Sequence, residues 1–310
     1  MTTFLSELGG MLSTPLMQRS LVAAVIVGLA APVMGTYLVQ RRLSLLGDGI
    51  GHVALTGVAL GWLVGSAMGL VDSEVLAVPG AVVAAVIGAV AIEMVRERGR
   101  TSGDVALALL FYGGIAGGVL LIGVAGGTNA NLMAYLFGSI STVTTSDLYL
   151  TVGLGVVILG VGLGLRSALF AVSHDEEFAR ASGLPVRALN IAVAVVAALT
   201  VTVSMRVVGL LLVSALMIVP VAVAQLVTTS FRRTMGLAMT IGLTVCVTGL
   251  SITYWQAQSP GATIVVLAVG LYVAVALLRP LVRPRRVTAD PHPDMMDDVS
   301  ITEGADRCSE

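Results

Sequence analysis

The stretch LSLLGDGIGHVALTGVALGWLVG, residues 43–65, decides how this chain is read. It is long and apolar enough to cross a bilayer, which takes about 20 residues, and it contains Asp48 and His52. A carboxylate in hydrocarbon costs roughly 2.5–3.5 kcal/mol on insertion scales, so an intramembrane acid marks function by default. At i,i+4 on a helix the two side chains share a face, with Cβ atoms about 5–6 Å apart. One hard oxygen and one imidazole nitrogen suit a divalent transition metal. The same spacing also fits a structural reading, an acid near a helix N-terminus beside a His bonded to a neighbouring helix.

Composition places this stretch in a polytopic membrane protein. Of 310 residues, 56% are hydrophobic and 11% charged, and mean hydropathy is +0.98. Soluble domains carry about 25% charged residues. A net charge of −1 offers no electrostatic basis for binding nucleic acid. The two cysteines, Cys246 in an apolar run and Cys308 near the C-terminus, make no disulfide framework. Cys246 reads as a small buried hydrophobe. Residues 1–20 hold Glu7, Pro15 and Arg19 and lack the basic start and apolar core of a cleavable signal. All 17 basic residues are arginine. A P-loop requires a lysine at the phosphates, so the chain is not itself a P-loop ATPase.

Apolar segments fall near 20–39, 44–66, 75–95, 104–123, 147–166, 187–205, 207–228, 235–254 and 262–279. Arginines cluster at every second connection: Arg41 and Arg42, Arg96 to Arg100, Arg166 to Arg187, Arg232 and Arg233, and Arg279 to Arg286. Arg206 is the exception, at a tight turn. The alternate connections are basic-poor. By the positive-inside rule this predicts nine spans, with the N-terminus outside and the C-terminus in the cytosol. An eight-span version results if one segment is re-entrant or lies on the membrane surface. The expected division is an extracytoplasmic segment 1–19, a transmembrane domain 20–287 and a disordered acidic cytosolic tail 288–310, where His292 is solvated. The uncharged stretch 128–146 predicts a loop with a short or re-entrant helix. Glycines four apart, at 57/61/65/69, 113/117, 114/118 and 160/164, predict close helix packing.

The basic connection RSALFAVSHDEEFARASGLPVRALN, residues 166–190, is the second informative stretch. His174 to Glu177 open a short helical pattern with Ser173 as candidate N-cap, and Gly183 and Pro185 stop it. Phe178 is an apolar residue on an otherwise polar element. The pattern fits a docking element for a partner as well as a solvated interhelical loop.

Five motifs in order resemble one known family: Arg41-Arg42-Leu43-Ser44-Leu45-Leu46-Gly47-Asp48 with His52 and Gly57; Leu136-Phe137-Gly138; Asp175-Glu176-Glu177-Phe178-Ala179 with Gly183; Val207 to Pro220; and Ser259-Pro260-Gly261-Ala262-Thr263-Ile264. Between residues 20 and 280 the chain resembles the permease subunit of zinc/manganese ABC importers. The resemblance implies an all-α bundle of eight or nine spans with a short cytosolic coupling helix, and a transport subunit that is not an enzyme. It implies two permease copies in the cell membrane, a separate ABC ATPase that binds the ATP, and an extracytoplasmic metal-binding protein that delivers the ion. Asp48 and His52 would hold the transported ion transiently, with no permanent cofactor. Asp175, Glu176, Glu177, Phe178 and Gly183 would form the coupling helix seated on the ATPase.

Imidazole points first to zinc, with manganese or iron as alternatives of the same class. A proton-coupled secondary carrier is the competing reading, with Asp48 carrying the proton. An intramembrane enzyme is disfavoured, because the sequence holds neither HExxH nor GxSxG. Short outer connections disfavour transport of a larger metal chelate. Two features stand apart from the family pattern: Asp48 lies only about two turns beyond Arg42, closer to the cytosol than to the midplane unless glycines 47, 49 and 51 break the helix, and the spans hold no second His. Water, a carbonyl or the same pair on a symmetry mate would complete the shell.

Overall fold

Inside a bilayer no water satisfies a peptide group, so apolar runs fold as helices that close their own hydrogen bonds. The computed structural model describes residues 10, 13–69, 73–98, 103–126, 129–138, 144–205, 208–256 and 258–282. Within them lie α1 (Pro15–Gln40), α2 (Leu46–Ala67), a 3₁₀ turn (Ser73–Leu76), α3 (Ala77–Arg98), α4 (Gly103–Val124), α5 (Asn129–Phe137), α6 (Thr145–Gly164), α7 (Arg166–His174), α8 (Glu176–Ala181), α9 (Val186–Ser204), α10 (Leu210–Val227), α11 (Phe231–Trp255) and α12 (Pro260–Val282). The readings made for Arg206, His292, Cys308 and the segment 288–310 lie outside the described residues, as does most of 1–19.

Eight of these helices are long and apolar enough to span a membrane. The ninth apolar segment is α10, with 18 residues. At 1.5 Å per residue it reaches about 27 Å, just short of a typical hydrocarbon core of about 30 Å. Both counts offered by the sequence therefore describe the same bundle. The nine-residue α5 is the short helix expected in 128–146.

Most of the core lies on α1, α2 and α9, whereas α4, α6 and α12 are peripheral. Close approach explains some of the glycine spacing. A Cβ at Gly57 or Gly61 would strike the backbone of Gly80 or Leu76, and one at Gly114 would strike the backbone of His52. Gly113, Gly160 and Gly164 have nothing within 4 Å, so the packing expected of them is not made within the protomer. They lie on the outward sides of peripheral helices.

Three motifs widely separated in sequence meet at the basic-poor end. Ser259 Oγ donates to the Phe137 carbonyl at 3.0 Å. Gly138 and Gly209 both have positive φ, 73° and 91°. The α carbons of Gly209 and Gly261 lie where any side chain would enter the backbone of 136–138 and of Val208. The end of α5, the entry to α10 and the start of α12 are thereby knotted together.

Candidate ion site and docking surface

The turn between α1 and α2 is a Schellman motif, which satisfies the last carbonyls of a helix through a residue in the left-handed region. Leu43 N–H donates to the Leu38 carbonyl at 2.8 Å and Arg42 N–H to that of Val39 at 3.1 Å. Arg42 holds φ 57°, a conformation costing an L-residue roughly 1–2 kcal/mol. The helix α2 then starts at Leu46, and Asp48 stands in its first turn. There the unpaired N–H groups of the helix end favour a negative charge.

The helix is regular through glycines 47, 49 and 51, so the break that would deepen Asp48 does not occur. These glycines serve packing instead. Gly47 faces Ser214 of α10, Gly51 faces Leu210, and Gly49 faces Leu107 and Leu110 of α4. At about 100° per residue, Asp48 falls between the face covered by α10 and the face covered by α4. It borders a cavity of about 290 Å³ lined by Leu45, Leu107, Ala108, Phe111 and Tyr112. Tyr112 is 70% exposed and Leu45 64% exposed, so this side of the protomer is uncovered.

One turn further, His52 is 5% exposed. Its ring meets Phe111 edge-on, with centroids 4.4 Å apart. Thr56 Oγ1 donates to the Gly114 carbonyl at 2.8 Å and clamps α4 against α2 just beyond His52. Nδ1 of His52 is buried without a hydrogen-bond partner among the described residues. Buried polar atoms are nearly always paired, and each exception needs an explanation. The hydrogen bond to a neighbouring helix required by the structural reading is therefore not made by that nitrogen. Among the described residues no third His, Cys, Asp or Glu joins Asp48 and His52. The chain thus sets one carboxylate beside an open cavity and one buried imidazole a turn behind it. Phe111 and Ser214 flank the pair, and sequence reasoning assigned neither a role. Ser214 Oγ is likewise buried and unpaired; it falls within the quoted Val207 to Pro220 motif, but a lone Ser in an apolar run carries no signal.

At the arginine-rich end, α8 spans Glu176–Ala181. Its N-cap is Asp175, whose carboxylate accepts from Phe178 N–H at 2.9 Å. Ser173, the expected cap, is inside α7 instead, because α7 continues to His174 and leaves Asp175 as the extended residue between the two helices. Gly183 ends α8 as anticipated, with φ 80° and a second Schellman pair, Leu184 N–H to Ala179 and Gly183 N–H to Arg180. Phe178 is 66% exposed and Glu177 is exposed beside it. Glu176 turns the other way and accepts from Arg41 Nη2 at 2.8 Å and Asn190 Nδ2 at 3.2 Å. The five residues assigned to docking thus all belong to one short capped helix, but they divide into an outward pair, Glu177 and Phe178, an inward Glu176, and the two residues, Asp175 and Gly183, that bound it.

A multi-pass helical bundle with a polar pair in one span and a short capped helix at its basic end defines a membrane transport subunit more readily than a membrane enzyme. Residues 13–279 match the ABC 3 transport family, and the chain belongs to that family. It is a permease subunit of a metal-ion ABC importer, a transport component and not an enzyme. It is 30% identical over 282 residues to the manganese transport system membrane protein MntC of Halalkalibacterium halodurans, covering 90% of this chain and 92% of that protein. It is 30% identical over 270 residues to the chelated iron transport system membrane protein YfeD of Yersinia pestis, covering 87% of each. Its fold matches a chain of PsaBC from Streptococcus pneumoniae in complex with Fab, with TM-score 0.77, 30% identity, and 88% and 95% coverage.

Proposed function

We propose that this permease carries a first-row divalent metal ion into the cell, with Asp48 and His52 as its intramembrane ligands. The observation that carries this reading is the pair itself: a carboxylate that borders an uncovered cavity and, one helical turn on, a buried imidazole nitrogen with no hydrogen-bond partner among the described residues. Two ligands hold an ion poorly. Two protomers facing each other across the open side of α2 would supply two carboxylates and two imidazoles. Four such ligands suit zinc, manganese or iron, and a site that must also release its ion benefits from modest affinity.

Imidazole alone favours zinc, but the relatives cited are named for manganese and for chelated iron. Manganese is therefore the ion to test first, with zinc as its competitor. By the positive-inside rule the arginine clusters support a cytosolic basic end, with α8 and the C-terminus there and the residues ahead of α1 outside. Residues 20–287 form the transmembrane domain in this reading and 288–310 a cytosolic tail. A separate ATPase would seat α8, and an extracytoplasmic binding protein would deliver the ion to the knotted outer end.

The test is uptake of radiolabelled manganese and zinc by proteoliposomes holding this chain, its ATPase and the metal-loaded binding protein. ATP-dependent uptake supports the reading, and the better-competing unlabelled ion names the cargo. Uptake that needs a proton gradient and no ATPase would instead identify a secondary carrier.

The outward residues of α8 make a second expected result. Glu177→Lys with Phe178→Ala should lower copurification of the ATPase at least about fivefold, since an exposed aromatic anchor and a charge are both lost from a small docking surface. Unchanged copurification and uptake would leave α8 as an ordinary interhelical loop.

A further inference from the structure

We infer that Arg41 is a positioning residue that ties the docking helix α8 to the ion-site helix α2, so that movement at the ATPase is passed to Asp48 and His52. This inference rests on the permease reading above and adds the part that joins its two ends.

The Arg41 side chain is 5% exposed although it is charged and stands at the end of a span. Its Nη2 donates at 2.8 Å both to Glu176 Oε1 and to Asn190 Oδ1. Asn190 Nδ2 donates at 3.2 Å to the same Glu176 oxygen, which closes a three-residue ring. The contrast is Arg187, which pairs with Glu97 at 3.0 Å but is 71% exposed. Exposed pairs of that kind contribute little and are easily exchanged for water. In the Arg41 pair Glu176 is 43% exposed and can turn to water, but breaking the contact strands the buried guanidinium away from solvent, so the ring selects one geometry.

A second contact path reaches the same place. Tyr37 lies one turn before Arg41 on α1. Its ring packs on Phe231 at 5.6 Å, Phe231 on Phe170 at 4.7 Å, and Phe170 stacks on His174 at 5.7 Å. One turn of α1 is therefore connected by aromatic packing to His174 and by charge to Glu176, the two residues flanking the N-cap of α8. On its other side, Arg41 is the C-cap of α1 and opens the hydrogen-bonded turn that leads into α2. Asp48 lies seven positions after Arg41, and the turn between them is held by the bonds Arg41 to Tyr37, Arg42 to Val39, Leu43 to Leu38 and Leu46 to Leu43. A displacement of α8 that carries Glu176 must either break the ring or move the end of α1, and with it the start of α2. Asn190, which can donate or accept, would fit the ring with its charges reversed.

The test uses the complete complex of permease, ATPase and manganese-loaded binding protein in proteoliposomes. Arg41→Gln and Arg41→Glu are expected to lower ATP-dependent manganese uptake at least tenfold and to abolish the stimulation of ATP hydrolysis by the loaded binding protein, with ATPase copurification unchanged. The charge swap Arg41→Glu with Glu176→Arg should restore uptake to within about threefold of wild type. Single variants that import like wild type overturn the inference. So does a swap that assembles but transports no better than either single change, and so does loss of ATPase copurification in Arg41→Gln, which would make the ring a docking support. A wild-type complex that imports neither manganese nor zinc would overturn the permease reading first, and this inference with it.

Discussion

Replacing Asp48 by Asn is expected to reduce metal uptake at least about a hundredfold, equivalent to roughly 2.8 kcal/mol at 1.4 kcal/mol per tenfold, without changing the folded yield. Asn has the shape of Asp and can still hydrogen-bond, but it cannot offer an anionic oxygen to a cation. His52→Ala should do the same for a different reason. It removes an imidazole whose Nδ1 has no hydrogen-bond partner to lose among the described residues, so the polar interaction lost is with the ion, and what the bundle loses is packing on Phe111. The measurement is uptake of radiolabelled manganese alongside the thermal midpoint of the purified variants. If the pair were structural, the order would reverse: uptake per folded transporter would hold and the midpoint would fall. Phe111→Ala separates the contributions further. It removes the ring that fixes the imidazole and should weaken uptake less than loss of either ligand.

The knot at the basic-poor end should show the largest effect on stability. Gly261→Ala places a methyl group on the Val208 carbonyl and against Phe137, where only backbone can give way. Gly209→Ala adds a methyl group against the backbone of 136–138 and also holds φ 91°, which L-residues rarely adopt. Overpacking typically costs about 1–3 kcal/mol, and the left-handed conformation adds about 1–2 kcal/mol at Gly209. Both variants should therefore lose most of their folded yield in detergent, as read by size-exclusion profile and thermal unfolding. Gly270 on the same helix as Gly261 has nothing within 4 Å. Gly270→Ala should be neutral or stabilising, since Ala exceeds Gly in helix propensity by about 1 kcal/mol. Equal loss from Gly261→Ala and Gly270→Ala would mean that the knot contributes nothing beyond propensity.

The local devices were legible in the sequence because they are local. Apolar length gives the spans, since an unpaired peptide group in lipid is too costly to allow another structure. The i,i+4 spacing puts Asp48 and His52 on one face because a helix repeats every 3.6 residues. Gly183 stops α8 because its φ of 80° suits glycine. Even the uncertainty between eight and nine spans was physical, for α10 is just short of the usual hydrocarbon thickness. The choice of Ser173 over Asp175 as N-cap failed on a boundary of two residues, because the preceding α7 runs further than its polar content suggests.

Long-range placement was not legible. Glu176 and Glu177 are neighbours of the same type, and nothing in their order says that one meets Arg41 across 135 positions while the other faces outward. The motifs around 137, 209 and 261 were recognisable one by one, but their meeting depends on how α5, α10 and α12 cross. Glycine spacing predicted contact equally at 114/118 and 160/164, and packing honoured only the first. The sequence by itself determined the helices, their alternating ends and the polar pair, because each follows from hydropathy or helical period. Only the tertiary structure decided which faces are covered, that His52 keeps a buried nitrogen without a hydrogen-bond partner among the described residues, and that Arg41 closes a ring with α8, because these depend on which side chains the packed helices bring within a few ångströms.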